Sequence, residues 1–354
     1  MRDRLMICLT LPAFLISTLL ASMSWAEGEK GGFEEKVDEL VMRIVRDVEG
    51  SPDQPFRIAV GNFTYAYTGF PTEFAYFLHN QLELSISREK GIELMARREL
   101  DELLKELEVS LSDLFDPDTC PQPGKLKGLE AILMGTYNIW GKEVKIFASL
   151  IKVEEGRKLS VQGIEIPLRA IPENVRVKLE KAGMVSQNYQ HLSKPIAEPT
   201  KGLQIKMWVD KGDGGLYLEG DKMTIYLRVS RDCYVRIYNV QPDGRSTLIF
   251  PNRYCPEGRI KGGRVYRIPD KGYSFDLMIT EPFGPEMLYA VASTEPFSDR
   301  EAVRRAIKRS KGPFIRGFRS VEELRERVVA VVPSVGGSAL AAQAISRFTT
   351  APRD

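Results

Sequence analysis

The segment from Gly220 to Asn252 constrains the fold more than any other part of the chain, because its apolar residues recur with a period of two. The alternating apolar positions in its first half are Met223, Ile225, Leu227 and Val229. A second alternating run covers 233–240, and the Asp243–Gly244 pair after it supplies the positive φ that a tight hairpin turn needs. The segment therefore predicts half-buried antiparallel strands joined by a turn.

The same segment carries a family resemblance. Glu-Gly-Asp at 219–221, the aromatic-rich strand at 233–240, the Asp–Gly turn and Leu-Ile-Phe-Pro-Asn at 248–252 resemble the bacterial family known as domain of unknown function 4384. Because that family has no assigned chemistry, the resemblance implies a β module and no particular activity.

The N-terminus has the three parts of a secretory signal peptide. Arg2 and Arg4 precede an apolar run over 5–20, and a small-x-small triplet ends at Ala26. We therefore predict cleavage between Ala26 and Glu27. A membrane anchor is the alternative, but about 16 apolar-rich positions are fewer than the roughly 20 that a spanning helix needs.

The remaining sequence favours an exported protein without an integral membrane segment after cleavage. No second apolar stretch approaches membrane length. Cys8 lies inside the first apolar run and precedes no cleavage site, so the lipid-modified cysteine of a lipoprotein is not expected. We predict a periplasmic or extracellular location, with association to the outer membrane as one form of it.

Composition indicates an ordinary globular protein, with 43% hydrophobic and 28% charged residues. The formal net charge of +2 is too small to indicate a nucleic-acid partner. A chain of 354 residues favours two domains.

Residues 55–168 alternate between strand and helix patterns. The predicted elements are strand 56–60, helix 71–87, strand 92–95, helix 100–107 and strands 131–137, 143–153 and 158–166. The order βαβαβββ predicts a mixed-sheet α/β domain with helices packed on the sheet.

These residues also resemble a known envelope domain. The motifs are Ile58-Ala-Val-x-Asn-Phe63, Ala96-Arg-Arg-Glu-Leu100, Gly128 to Thr136 and the alternating strand from Val144 to Leu150. They look like the periplasmic domain of the curli secretion subunit and its relative, flagellar assembly protein O. This resemblance implies association with the outer membrane and with the assembly of surface structures.

The second half of the chain predicts a β-sandwich with peripheral helices. Short strands punctuated by Gly and Pro follow one another from 203 to 293, and 327–333 is expected as an edge strand. Capping-box patterns at Ser298 and Ser320 predict helix starts. The fold class is therefore α/β plus β. The predicted organisation is a signal peptide (1–26), an N-terminal extension (27–54), a curli-secretion-like α/β domain (55–168), a linker (169–201), a β-sandwich (202–333) and a flexible tail (334–354).

Three cysteines follow the predicted cleavage site. In an oxidising compartment Cys233 and Cys255 can pair, and the closed loop would stabilise the fold by roughly 3 kcal/mol. A buried strand residue at 233 and a loop thiol at 255 are the alternative. Cys120 has no predicted partner.

The sequence predicts no catalytic, cofactor-binding or metal-binding site. His79 and His191 are the only histidines, and neither belongs to a spaced ligand pair. The Asp210–Gly215 segment partly resembles a calcium-binding loop, but it lacks the alternating ligands and the closing Glu of an EF-hand. A polar turn is therefore favoured. No Gly-rich phosphate loop is present.

Two features are candidate binding elements. Tyr65, Tyr67 and Phe70 follow the first strand, where ligands often dock in open α/β sheets. Packing against the second domain explains them equally well. A basic run either contacts an anionic lipid, lipopolysaccharide or an acidic partner, or forms a solvated helix face. Its members are Arg300, Arg304, Arg305, Lys308, Arg309 and Lys311.

We therefore expect a non-enzymatic envelope protein that binds or assembles with a protein or a glycan, with a homo-oligomer among its predicted states. A ligand-binding sensor is the second hypothesis, and an enzyme is the third.

Overall fold

The computed structural model describes residues 31–48, 55–115, 120–121, 125–179, 182–196, 202–333 and 339–353. Two units are visible, which we call the first unit (31–167) and the second unit (202–353). The elements of the first unit are α1 (Gly31–Val45), β1 (Phe56–Tyr65), α2 (Glu73–Ile86), β2 (Ile92–Met95), α3 (Arg97–Leu107), β3 (Ala131–Trp140), β4 (Glu143–Lys152) and β5 (Lys158–Pro167). Short 3-10 helices cover Leu111–Phe115 and Leu168–Ala170.

The first unit is the predicted mixed-sheet α/β fold. Its five strands lie in the order β2-β1-β3-β4-β5, with β1 parallel to both neighbours and β3, β4 and β5 antiparallel. Both faces of β1 are covered, because Ile58 and Val60 pack under α2 while Ala59 packs under α3. This is why β1 lacks the alternation of a half-exposed strand.

The segment expected as an N-terminal extension contributes to the core. Val37, Leu40 and Val41 of α1 are buried in the same cluster as α2. The Phe33 ring lies 4.6 Å from the Phe77 ring, and Ser160 of β5 donates a hydrogen bond to Asp47 at 2.6 Å. Helix α1 is therefore an integral part of the α/β fold.

The second unit consists of several sheets, antiparallel except for the β17–β7 pair, and three helices among its described residues, if the helix that precedes it is included. Its elements are α4 (Ala182–Ser193), β6 (Ile205–Val209), β7 (Gly215–Leu218), β8 (Lys222–Met223), β9 (Ile225–Val229), β10 (Cys233–Val240), β11 (Ser246–Phe250), β12 (Arg259–Ile260), β13 (Val265–Ile268), β14 (Leu277–Met278), β15 (Gly284–Ser293), α5 (Arg300–Arg309), β16 (Ile315–Arg316), α6 (Val321–Val331) and β17 (Ala341–Ala351).

A seven-stranded and a three-stranded sheet form the predicted sandwich. The larger sheet has the order β16-β11-β10-β15-β17-β7, with β12 beside β10, and the smaller has the order β13-β9-β6. Alternate residues of β10, Val235 and Ile237, pack with Leu227 of β9 between the sheets. The next residue, Tyr238, faces the opposite side, where α4 and α6 cover it and its cluster continues into the first unit.

The prediction of a flexible tail is wrong. Residues Ala341 to Ala351 form β17, which lies between β15 and β7 in the large sheet. Small side chains suit this position because both edges of the strand are paired and Phe348 supplies a buried aromatic ring. The small and polar residues of this segment suggested a flexible tail. Its backbone is instead hydrogen-bonded to a strand on each side.

The edge strand expected at 327–333 is also wrong, because most of these residues belong to helix α6. Val321, Leu324, Val328 and Val331 are buried at helical spacing, and this periodicity extends upstream of the apolar run. The capping box at Ser320 is confirmed, since its side chain accepts a hydrogen bond from the Glu323 N–H at 3.2 Å.

The predicted signal peptide and its Ala26–Glu27 junction lie outside the described residues. Within the described ranges, no helix has both the length and the apolar character needed to cross a membrane.

Candidate functional site

The predicted binding loop lies in the seam, our name for the contact between the first and second units. Tyr65 is 6% exposed and Phe70 is fully buried, whereas Tyr67 is 63% exposed. The loop closes on itself, because the N–H of Tyr65 donates to Phe70 O and the N–H of Gly69 donates to Tyr65 O, each at 2.8 Å. Two of the three aromatic residues therefore pack inside the protein, and Tyr67 alone faces solvent.

Arg347 of β17 fastens this loop to the second unit. Its backbone N–H donates to Asp213 Oδ1 at 2.7 Å, and its Nη1 donates to Thr68 O at 3.4 Å. Gly69 has a φ of +71°, and a Cβ at that position would overlap the Arg347 guanidinium. Glycine is required here because the arginine crosses directly over the turn.

A buried hydrogen-bond network holds the exit of the loop. Thr349 of β17 donates to Pro71 O at 2.8 Å, and the N–H of Thr72 donates to the Tyr137 hydroxyl at 2.8 Å. Thr72 Oγ1 also donates to Val177 O at 3.2 Å. Burial raises the pKa of Tyr137, so its phenol is neutral. The loop exit is thus tied to both units and to the segment that joins them.

Beside this network the seam opens into a cavity of about 740 Å³, which we call the seam groove. Leu179, Val185, Leu216, Pro242 and Phe283 line its apolar part. Cavities of this size at domain boundaries are typical of ligand sites. The groove is a concave surface lined by residues of both units.

Charged residues surround the groove. Arg176 Nε donates to Glu73 Oε1 at 3.0 Å. Burial raises the pKa of Glu73, but the hydrogen bonds and positive charge of Arg176 outweigh burial and hold that pKa below its usual value. Lys178 and Glu281 are exposed on the same rim. The rim therefore offers both signs of charge around an apolar floor.

A buried carboxyl group lies next to the groove. Glu286 of β15 is 7% exposed and accepts hydrogen bonds from Asn239 Nδ2 at 2.7 Å and from Thr350 Oγ1 at 3.0 Å. Burial raises the pKa of Glu286 to about 7, and the two hydrogen bonds oppose this only partly. Since Thr350 also lines the groove, Glu286 is the ionisable group that lies beneath its wall.

A second crevice of the seam, of about 460 Å³, contains a network centred on Arg97. Arg97 donates to Asn62 Oδ1 at 2.7 Å, to Lys211 O at 3.0 Å and to Asp101 Oδ1 at 2.9 Å. Asn62 Nδ2 in turn donates to Asp213 O at 2.9 Å. These contacts hold the 210–214 turn of the second unit against the first unit. The segment that was weighed as a calcium loop is therefore a turn that joins the two units.

His79 lies in the same crevice and is half-buried. Its Nε2 is 3.2 Å from Glu83 Oε1, and Glu83 also accepts the backbone N–H of Arg97 at 2.8 Å. Burial raises the pKa of Glu83, but His79 and Arg97 outweigh it and lower the pKa overall. The charged side chains of this network are therefore paired within the first unit. Within the described ranges, no group of three or more His, Cys, Asp or Glu side chains could hold a metal ion.

The two candidate disulfide cysteines are both free thiols in the structure. Cys233 is buried in β10 and Cys255 is half-buried in the loop before β12, which matches the alternative reading of a strand residue and a loop thiol. Burial raises the pKa of Cys233 to about 12 and also raises the pKa of Cys255. Both groups are therefore protonated at neutral pH.

The basic run falls on helix α5 and the loop after it, away from the seam. Arg304 pairs with Glu257 at 3.1 Å, while Arg305, Lys308, Arg309 and Lys311 are exposed. The run lies beside an open cavity with a volume of about 1050 Å³.

The fold is thus that of an α/β domain joined to a β-sandwich. The family described as Domain of unknown function (DUF4384) matches residues 216–296, which run from β7 to just beyond β15, and this confirms the resemblance predicted for the second unit. No curated protein matches the chain. The resemblance of the first unit to the curli secretion subunit stays a prediction.

Several solved structures show partial likeness. The LpoB C-terminal domain from Salmonella enterica is 14% identical, with a TM-score of 0.29, over 38% of this chain and 96% of that chain. Lipoprotein GNA1162 from Neisseria meningitidis is 18% identical, with a TM-score of 0.24, over 40% and 100%. TolB from Acinetobacter baumannii is 13% identical, with a TM-score of 0.18, over 68% and 59%.

Sequence patterns missed Arg97 and Arg347, which bond across the seam, and Glu286, which is buried next to the seam groove. Arg97 stood inside the Ala96–Leu100 motif, but the motif gave no indication of its partner. Glu286 follows a Gly–Pro pair in a strand whose other residues are mostly apolar, and a lone acid in such a strand is a usable signal of a buried ionisable group.

Proposed function

We propose that this chain is a non-enzymatic exported protein of the cell envelope, in which the seam groove binds a segment of an envelope protein. The observation that carries the proposal is the contrast within the seam. In the Arg97 crevice, the side chains of Arg97 and Asn62 are taken up by hydrogen bonds to Asp101 and to the Lys211 and Asp213 carbonyls of the second unit. The groove beside that crevice keeps an apolar floor and an exposed rim.

The chemistry of the groove favours a peptide over a glycan. Glycans are commonly held by exposed aromatic faces and polar groups, whereas leucine, valine and proline side chains suit apolar peptide side chains. Rim charges of both signs, such as Lys178 and Glu281, can then fix the orientation of a bound segment. Export rests on the N-terminal signal pattern.

Site-specific cross-linking in cells tests the proposal. A photo-reactive amino acid placed at position 178 or 281 should give a discrete adduct with an envelope protein, while the same group at Lys90, an exposed site outside the groove, should not. Phe283→Asp, which places a charge on the floor, should abolish the adduct. Equal adducts from all three positions, or none from the groove, would contradict the proposal.

A rim variant separates loss of binding from loss of folding. Lys178→Glu combined with Glu281→Lys preserves the net charge and leaves the apolar floor intact. We expect it to weaken the adduct while leaving the melting temperature unchanged.

A small-molecule sensor is the second candidate, favoured by the groove volume of about 740 Å³. A ligand that binds only the folded protein must raise its melting temperature. A metabolite that raises the melting temperature of the parent protein and leaves that of Phe283→Asp unchanged would favour this function over a peptide partner.

A further inference from the structure

Helix α5, the loop after it and strand β16 form a concave basic surface on the second unit. Four cationic side chains, Arg305, Arg309, Lys311 and Arg316, surround it, and all four residues are exposed. Its floor is less polar and consists of Ala302, Ala306, Phe314 and Ile315. We call these eight residues the basic cradle.

The positive charge of the cradle is not balanced within the described part of the chain. The nearby Arg300 and Arg304 have acidic neighbours, Glu301 at 3.7 Å and Glu257 at 3.1 Å. The four rim residues of the cradle form no ion pair with any residue that the structure describes. Arg305 and Arg309 are also one helical turn apart, a spacing at which like charges repel. Such a surface is complementary to an external anion.

The loop of the cradle is held in place by backbone contacts. Arg253 Nη2 donates to Ser310 O at 3.3 Å and to Gly312 O at 3.2 Å, and Ser310 Oγ donates to Phe314 O at 2.9 Å. The cationic side chains therefore project from an ordered frame, and Arg253 adds a further positive charge beside it.

An aromatic cluster extends from the floor of the cradle to the surface. The Phe314 ring packs edge-on against Phe275 at 5.1 Å, and Tyr273 lies 5.5 Å from Phe275. Tyr254 stacks on Tyr273 with ring centroids 4.3 Å apart, and Tyr254 is 36% exposed. Met278, three residues after Phe275, is 54% exposed. Tyrosine and arginine side by side are typical of surfaces that meet the headgroup region of a bilayer.

We propose that the basic cradle binds phosphate groups at the surface of an anionic lipid bilayer, so that the protein associates peripherally with a membrane. Guanidinium groups pair with phosphate oxygens in two-point contacts. The apolar floor and the tyrosine cluster suit an amphiphile better than a soluble polyanion. This inference is independent of the seam groove, since no cradle residue lines that groove.

Vesicle co-sedimentation of the full chain tests the proposal. We expect binding to vesicles of phosphatidylcholine with phosphatidylglycerol and none to phosphatidylcholine alone. Each positive charge near an anionic surface contributes about fivefold to partitioning, so Arg305→Gln with Arg309→Gln and Lys311→Gln should weaken binding about 100-fold. Binding should also weaken as salt rises.

A charge-matched triple variant, Lys90→Gln with Lys127→Gln and Arg157→Gln, removes three exposed charges from the first unit. It should bind like the parent protein, and because all versions share residues 1–30, any membrane contact of that segment contributes equally. Equal weakening by both triples would overturn the proposal, because net charge would then explain the binding. Binding of the parent to heparin or single-stranded nucleic acid without binding to vesicles would overturn it as well.

Discussion

The seam and the basic cradle both contain several arginines, but they differ in how those arginines are neutralised. In the seam, Arg97 and Arg347 each bond to an aspartate and to backbone carbonyls of the opposite unit or of a neighbouring loop. In the cradle, Arg305 and Arg309 have no acidic partner among the described residues. The comparison indicates that seam charges stabilise the fold, whereas cradle charges are available to another molecule.

The largest effect on stability should come from Arg97→Ala. The substitution removes three hydrogen bonds of the Arg97 side chain. Asp101 and Asn62 each lose one hydrogen-bond partner, and the Lys211 carbonyl loses another. We expect the free energy of unfolding to fall by about 2 to 3 kcal/mol in urea denaturation.

Arg98→Ala is the matched control for that experiment. The Arg98 side chain is 89% exposed and, among the residues that the structure describes, pairs only with Glu102 on its own helix, so the loss should stay within about 0.5 kcal/mol. Similar losses for the two variants would remove the distinction between seam and surface charges.

The buried Glu286 should make stability depend on pH. Because the pKa of Glu286 in the folded protein, about 7, is above the ordinary value of 4.5, the folded state holds its proton more tightly than the unfolded state. The contribution to stability is therefore fully present at low pH and declines as pH rises through 4.5 to 7. From pH 5 to pH 8 the loss should be roughly 2 kcal/mol.

Glu286→Gln should remove that part of the pH dependence, because glutamine cannot ionise. Its Oε1 can still accept from Asn239, and its Nε2 can donate to the Thr350 hydroxyl. Urea denaturation at pH 5 and pH 8 measures it, and Glu281→Gln on the exposed rim serves as the control. A parent protein and a Glu286→Gln variant with the same pH profile would show that the carboxyl group is not desolvated.

Gly69→Ala should have a smaller effect. Alanine at a φ of +71° is strained, and its Cβ would displace the guanidinium of Arg347. We expect a loss of about 1 to 2 kcal/mol in thermal or urea unfolding. Gly141→Ala is the control, since Gly141 has a φ of +65° but nothing within 4 Å of the added Cβ, and the excess cost at 69 measures the Arg347 contact.

The smallest effect on stability should come from the cradle itself. Replacing Arg305 and Arg309 by glutamine removes a like-charge pair on one helix face, so stability should stay the same or rise by a few tenths of a kcal/mol. A marked loss would mean that these side chains support the fold and would blur the contrast with the seam.

Local periodicity predicted much of the fold. The helix at 71–87 was evident because its apolar residues recur at helical spacing, and the strand at 92–95 because its short apolar run is typical of a strand. Strand β17 was not evident, because two neighbouring strands supply its order and its own side chains are small. The site depended even more on tertiary contacts, since nothing near Arg97 in the sequence indicates the turn at 210–214 that it binds.

The position of β17 also has a consequence for the order in which the protein is made. Strand β17, the partner of both β15 and β7, is synthesised roughly 50 residues after β15 and roughly 125 residues after β7. Until then β15 presents an unpaired edge, which is the kind of surface that recruits other chains. A chain of this design therefore gains from staying unfolded until residue 351 has been synthesised and its large sheet can close.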